Sequence, residues 1–249
     1  MTILAFDSAG ASHRGCVRPH NEDAFVDLPG EAVWAVADGM GGHSAGDVAS
    51  RIIAEEIASL GTTVSAQDQR ARLSQRLDRA HQRIRAHAAA QGLGAIGSTV
   101  AALLIHDGEL TCIWAGDSRI YLLRDGALTR LTRDHSEVAE MVAAGLMTET
   151  EARTAPRRNV ITRAIGAGED AVPELATGVA RAGDLFLLCS DGLTGHLEDA
   201  EIAAMLAMPS APALIVDALI GAVLDRGATD NVTAVVLRCQ AGQATGETD

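Results

Sequence analysis

Apolar runs of strand length recur along the chain. "EAVWAVA" (31–37), "STVAALLI" (98–105), "LTCIWAG" (110–116), "RIYLLR" (119–124), "DLFLLCS" (184–190) and "VTAVVLR" (232–238) are short and rich in aliphatic and β-branched residues, the signature of buried β-strands. "HDGEL" (106–110) and "RDGAL" (124–128) extend such runs through Asp-Gly, the strongest short-range hairpin signal. The middle of the chain is therefore predicted to be an antiparallel meander. Helical periodicity appears over roughly 45–60, 68–90 and 210–225; in the second window Leu73, Leu77, Ala80, Ile84 and Ala88 form one stripe with charge opposite. Residues 136–159 fit neither pattern and read as a short helix, a Gly turn and a polar excursion, the form of a functional lid over a sheet. Helices before the meander and alternating elements after it predict antiparallel sheets covered by helices, an α+β layered fold.

No linker, repeat or low-complexity block interrupts the 249 residues, so 1–240 reads as one domain and 241–249 ("AGQATGETD" with its flank) as a flexible tail. A hydrophobic fraction of 47% supports a sizeable core, and only 2% aromatics makes it aliphatic. The net charge of −13, without a basic cluster, argues against a nucleic-acid partner. No stretch approaches the roughly 20 apolar residues of a membrane helix, so no membrane partner is expected. The start lacks the features of a signal peptide. Cys16, Cys112, Cys189 and Cys239 are isolated, and three sit in or beside apolar runs as small hydrophobes, which points to a reducing, cytoplasmic setting.

Acids at the ends of these runs change the picture. Glu22 and Asp23 lie in "RPHNEDAFV", Asp38 in "VADGMGG", Asp117 in "WAGDSRIYLL", Asp191 in "FLLCSDGL" and Asp230 in "ATDNVTAVVL". For a single Asp-Gly after a strand, turn chemistry is the default, and it suffices for "HDGEL" and "RDGAL". The others lack tight two-residue hairpins. Carboxylates on several strand ends could meet at one sheet edge, where unpaired they would repel; hard divalent cations such as Mg²⁺ or Mn²⁺ would relieve that. No Cys/His spacing favours zinc. "GGHSAGD" (41–47) has P-loop glycine spacing but Asp47 where lysine must stand, and a dinucleotide fingerprint from Gly39 through Gly41 fails at Ser44. "GDSR" (116–119) lacks a G-x-S-x-G context and precedes a strand.

Taken together, "RPHNEDAF", "VADGMGGHSAGDVAS", "GSTVAALL", "GDSRIYLLRDGALTRLTRDHS", "ITRAIG", "DLFLLCSDGL" and "ATDNVTAVVL" resemble the metal-dependent protein serine/threonine phosphatases of type 2C in their compact bacterial form. The seven stretches run in the family's order across about 14–237. The resemblance implies a four-layer α/β/β/α sandwich, two antiparallel β-sheets flanked by helix pairs, with a flap near 136–159 and metals in a cleft at one end. It implies that Asp38 bridges two Mn²⁺ or Mg²⁺ ions, that the Gly39 carbonyl binds the second, and that Asp191 and Asp230 bind the first. Glu22 and Asp23 match the acidic pair that holds metal-bound waters. Asp117, with Asp191, matches a third, weaker site, and Arg18 the phosphate-binding arginine. Side chains at Gly41 or Gly42 are expected to crowd the metal hydration shell.

The implied reaction is hydrolysis of phosphoserine or phosphothreonine on proteins by metal-activated water, in a monomer opposing a bacterial kinase. Met40 stands where eukaryotic members carry a histidine; a thioether cannot donate a proton, so His20, His43 and a metal-bound water all remain open as the acid. A non-catalytic binding module is the competing class, and loss of a ligand would signal it, yet Asp38, Asp191 and Asp230 are all present. A stress-responsive regulator of an anti-sigma antagonist would need a sensor domain for which this chain has no room.

Overall fold

The computed structural model describes residues 4–41, 45–170 and 172–242. Among the described residues eleven strands run in chain order: β1 (Leu4–His13), β2 (Asp23–Leu28), β3 (Val33–Met40), β4 (Gly97–Ser98), β5 (Val100–His106), β6 (Glu109–Ala115), β7 (Arg119–Arg124), β8 (Ala127–Arg130), β9 (Glu174–Val179), β10 (Leu185–Cys189) and β11 (Val232–Ala241). They pair antiparallel into two sheets. One is ordered β1-β11-β10-β7-β8; the other is β2-β3-β5-β6-β9, with β4 paired to β3. The helices are α1 (Gly46–Ala58), α2 (Ala66–Gln91), α3 (Glu137–Ala143), α4 (Glu149–Thr154), α5 (Asp191–Thr194), α6 (Asp199–Leu206) and α7 (Pro212–Asp225).

Side-chain alternation explains why the central strands are apolar throughout. In β3, Trp34 and Val36 face the opposite sheet and pack with Leu103, Phe186, Leu188, Val235 and Leu237. Val33, Ala35 and Ala37 face outward onto Ile53 and Ile57 of α1 and Leu73 and Leu77 of α2. The outward face of the other sheet packs on Ile202 of α6 and on Ile215, Leu219 and Val223 of α7. Both faces of both sheets are thus covered, and each fully buried aliphatic side chain contributes roughly 1.5–3 kcal/mol. The result is the four-layer α/β/β/α sandwich that the resemblance implied.

One expectation needs correcting. The central meander is not one ribbon: the β5–β6 hairpin belongs to one sheet and the β7–β8 hairpin to the other. The chain changes sheet at 116–118, where Gly116 takes φ +107°. That switch places Asp117 at one end of the sandwich, between the layers. The 136–159 segment does contain a short helix and a Gly turn (Gly145, φ +70°), and it adds a second helix, α4. Thr148 and Glu151 close a capping box at its start, a signal present in "TETE". Ala241, assigned to the tail, still pairs with Leu4; 243–249 lie outside the described residues. Cys112, Cys189 and Cys239 are buried as expected, and Cys16 is exposed.

Candidate metal centre

Five strand ends meet at one end of the sandwich. Asp23 opens β2 directly opposite Asp38 near the end of β3. Asp191 follows the end of β10 and starts α5, and Asp230 lies two residues before β11. Asp117 sits in the sheet-switching turn before β7.

Bare backbone lets these segments approach. A methyl carbon on Gly39 would lie 2.1 Å from the Gly46 carbonyl oxygen and 2.6 Å from that of Glu22. On Gly192 it would lie 1.8 Å from the Asn231 carbonyl oxygen, and on Gly15 2.1 Å from that of Asp230. These are main-chain atoms that cannot swing aside, so glycine is required by chain-on-chain contact. At Gly41 a methyl carbon would meet Ile96 Cγ2 at 2.9 Å. That contact is with a side chain, unlike the main-chain contacts at Gly39, Gly192 and Gly15. Gly42 and His43 lie outside the described residues.

Asn231 ties the approach together. Its Oδ1 accepts from the Glu22 amide at 2.8 Å, and its Nδ2 donates to the Arg14 and His20 carbonyls at 3.0 and 2.9 Å. Asp23 Oδ2 accepts from Thr233 at 2.6 Å and Ser190 at 2.8 Å. Thr99 Oγ1 accepts the Asp38 amide at 3.0 Å and bonds Ser118 Oγ at 2.7 Å. Asn, Ser and Thr carry no spacing signal, so none of these five residues stands out in the sequence.

The electrostatics are those of crowded acids. Burial first, then the charges of Asp23, Asp191, Asp117 and Asp230, push the Asp38 carboxyl well above the usual carboxylate range, although part of the residue still reaches solvent. Burial raises Asp23 to about 7 against the hydrogen bonds from Thr233 and Ser190. It raises Asp117 to about 8, helped by the charges of Asp191 and Asp134. Asp191 is raised by burial and Asp230, with a hydrogen bond to Asp38 acting the other way. Burial also raises Glu22. Arg18 is the basic counterweight: it donates to Asp230 Oδ2 at 2.7 Å while about half its side chain stays exposed, and that bond raises its own pKa.

This donor set fits a hard divalent cation. All side-chain donors are oxygens, and Asp23 Oδ1 and Asp47 Oδ1 are buried without a hydrogen-bond partner. Asp47, in the first turn of α1, adds its charge to that facing Glu22. Among the described residues no three His, Cys, Asp or Glu side chains enclose an ion by themselves. Asp38, Asp23, Asp117 and Asp191 form one group of raised carboxyls, with Gly39 beside Asp38; Asp230 adds its charge to that group, Arg18 borders it through Asp230, and Glu22 through Asn231. His20 is exposed, and Met40 pairs with Gly97.

Comparison with known proteins agrees with this reading. A family profile described as "Protein phosphatase 2C" matches residues 9–219, and the chain belongs to that family. It is 40% identical over 234 residues to serine/threonine protein phosphatase PstP of Mycobacterium tuberculosis, covering 94% of this chain and 45% of that protein. The chain thus spans about half the length of this curated relative. Its fold matches PppA, described as a key regulatory component of T6SS in Pseudomonas aeruginosa, with TM-score 0.87 and 39% identity over 95% of this chain and all of that one. It also matches the catalytic domain of PstP in complex with two manganese ions, with TM-score 0.85 and 36% identity over 96% of this chain and all of that one.

Proposed function

We propose that this protein hydrolyses phosphoserine and phosphothreonine on proteins in a Mn²⁺- or Mg²⁺-dependent reaction, as a cytoplasmic monomer opposing a Ser/Thr kinase. The observation that carries the reading is the convergence of Asp23, Asp117, Asp191 and Asp230 on the largely buried Asp38, whose carboxyl their charges raise. Family membership and the manganese bound by a relative support it. Among the described residues no helix is long and apolar enough to cross a membrane.

Two bound divalent ions would supply an activated water and a clamp on the displacement at phosphorus. Asp38 would hold both ions, the Gly39 carbonyl one of them, and Asp191 and Asp230 the other. Glu22 and Asp23 would orient coordinated water, and Asp117 with Asp191 would form a third, weaker site. The Arg18 guanidinium, anchored on one side by Asp230, keeps donors free to grip phosphate oxygens and offset charge in the transition state. Met40 offers no proton to the leaving alkoxide, and exposed His20 is the described histidine nearest in sequence to Arg18.

The test is hydrolysis of a phosphothreonine peptide with Mn²⁺, with EDTA, and by Asp38→Asn with Mn²⁺. The expected result is activity that requires Mn²⁺ and falls more than about a hundredfold in Asp38→Asn, since even second-shell metal partners are worth 10–100-fold. A well-folded protein with no activity at any Mn²⁺ concentration would overturn the reading in favour of a phosphoprotein-binding module.

A further inference from the structure

Just behind the Asp117 turn lies a buried histidine that the mechanism above does not use. His135 is only 3% exposed. Its main-chain amide donates to the Gly116 carbonyl at 2.9 Å, and its Nδ1 accepts the Gly116 amide at 3.2 Å. The side chain and backbone of one residue therefore hold both polar groups of the glycine that precedes Asp117. Accepting that bond requires a bare Nδ1, which places the ring proton on Nε2, 3.2 Å from Glu174 Oε1 and off the line of a good hydrogen bond. The ring lies parallel to the Trp114 indole, with centroids 6.1 Å apart. Burial and the cations of Arg163 and Arg133 hold the imidazole below its usual pKa against the pull of Glu174, consistent with the neutral tautomer.

The other side of His135 faces the flap. Its carbonyl accepts the Thr162 amide at 2.8 Å, Ser136 bridges to Ile161, and the Glu137 amide donates to Val160. Both ends of the 136–161 excursion are thus pinned at this histidine. Gly116 in turn leans on Thr99, since a methyl carbon there would lie 2.5 Å from Thr99 Cγ2. Thr99 is the residue that holds both the amide and the carbonyl of Asp38.

The geometry points to His135 as a positioning residue: its bare Nδ1 fixes the Gly116–Asp117–Ser118 turn, while its backbone anchors the flap root to that same turn. This rests on the phosphatase reading for its consequence in catalysis, not for its geometry. The competing explanation is a core histidine that merely fills space, and two substitutions separate the alternatives. Asparagine places an acceptor close to the position of Nδ1 but leaves a gap; glutamine fills more of the volume but reaches toward Nε2. A positioning role favours His135→Asn, and simple packing favours His135→Gln.

The experiment is amide hydrogen exchange at Gly116 in the metal-free protein, which needs no turnover. Expected is wild-type protection in His135→Asn and about tenfold faster exchange in His135→Gln, the size of one lost hydrogen bond. With Mn²⁺ added, the concentration for half-maximal peptide hydrolysis should rise about tenfold in His135→Gln alone. Equal exchange in the two variants, or better protection with Gln, overturns the proposal. Should His135→Gln fail to fold, ¹⁵N spectra of the wild-type imidazole decide it: a bare Nδ1 supports the role and a protonated Nδ1 refutes it. An inactive protein with the expected exchange pattern would sink the phosphatase reading alone.

Discussion

Asp-Gly occurs four times in this chain, at 38–39, 107–108, 125–126 and 191–192, and the same dipeptide serves two unrelated purposes. In the two hairpins both residues are left-handed: Asp107 and Asp125 have φ +50° and +51°, and Gly108 and Gly126 both +80°. There glycine is needed for its own conformation, as in type I′ turns. Gly39 and Gly192 are not left-handed, and their demand comes from another segment pressed against the α-carbon. The first pair turns a strand around; the second pair delivers carboxylates into a shared space. Local sequence cannot distinguish the two uses, because the difference lies in what arrives from elsewhere in the chain.

Substituting the glycines breaks the comparison most directly. Gly192→Ala would force a methyl group to 1.8 Å from a carbonyl oxygen, and Gly39→Ala to 2.1 Å from one. Overpacking against rigid backbone costs about 3 kcal/mol or more, so both variants should unfold in denaturant well before the wild type. A loss under about 1 kcal/mol would mean that the close approach is not rigid. Asn231→Ala comes next. It strips partners from the Glu22 amide and the Arg14 and His20 carbonyls, and should cost about 2–3 kcal/mol in the same unfolding experiment.

How far the sequence could be read follows from the same distinction between local and imported constraint. The strands legible as apolar runs, β3, β5, β6, β7, β10 and β11, are all interior to the sheets except for their turns. Three of the four edges, β1, β2 and β9, do not stand out as apolar runs, and the fourth, β8, is marked only as the second arm of the "RDGAL" hairpin. An edge strand buries less, so "LAFDSAGASH" and "ELATGV" carry too few apolar residues to stand out. In the site, the aspartates were visible because they end apolar runs, and their convergence was implied by family resemblance. Asn231, Thr99, Ser190, Thr233 and His135 were not visible: each matters through partners distant in sequence, and nothing local marks them.

The crowding of carboxylates predicts an unusual pH dependence in metal-free protein. From the ordinary value of 3.8, Asp23 is raised to about 7 and Asp117 to about 8. Between about pH 4 and 8 the folded chain therefore holds protons that the unfolded chain has already released. Stability from these groups is complete below that window and is lost as pH rises through it. Asp117→Asn, which mimics the neutral acid, should have a higher Tm than wild type at about pH 8, with the gap narrowing towards about pH 5. Mn²⁺ should stabilise the wild type at pH 8 more than the variant. A constant Tm gap across this range would show that the carboxylates are better solvated than their burial indicates.

Gly126→Ala tests the hairpin side and should have the smallest effect. Nothing lies within 4 Å of a methyl carbon there, so no clash enters and only conformation counts. Holding alanine at φ +80° costs about 1–2 kcal/mol. Removing glycine restricts the unfolded chain and returns about 0.4–1 kcal/mol. The net loss should be about 1 kcal/mol, measured by denaturant midpoint at unchanged slope, with peptide hydrolysis unaffected. If Gly126→Ala instead cost as much as Gly192→Ala, the distinction between glycines that turn the chain and glycines that make room for it would fail, since the strain term alone is too small to reach that figure.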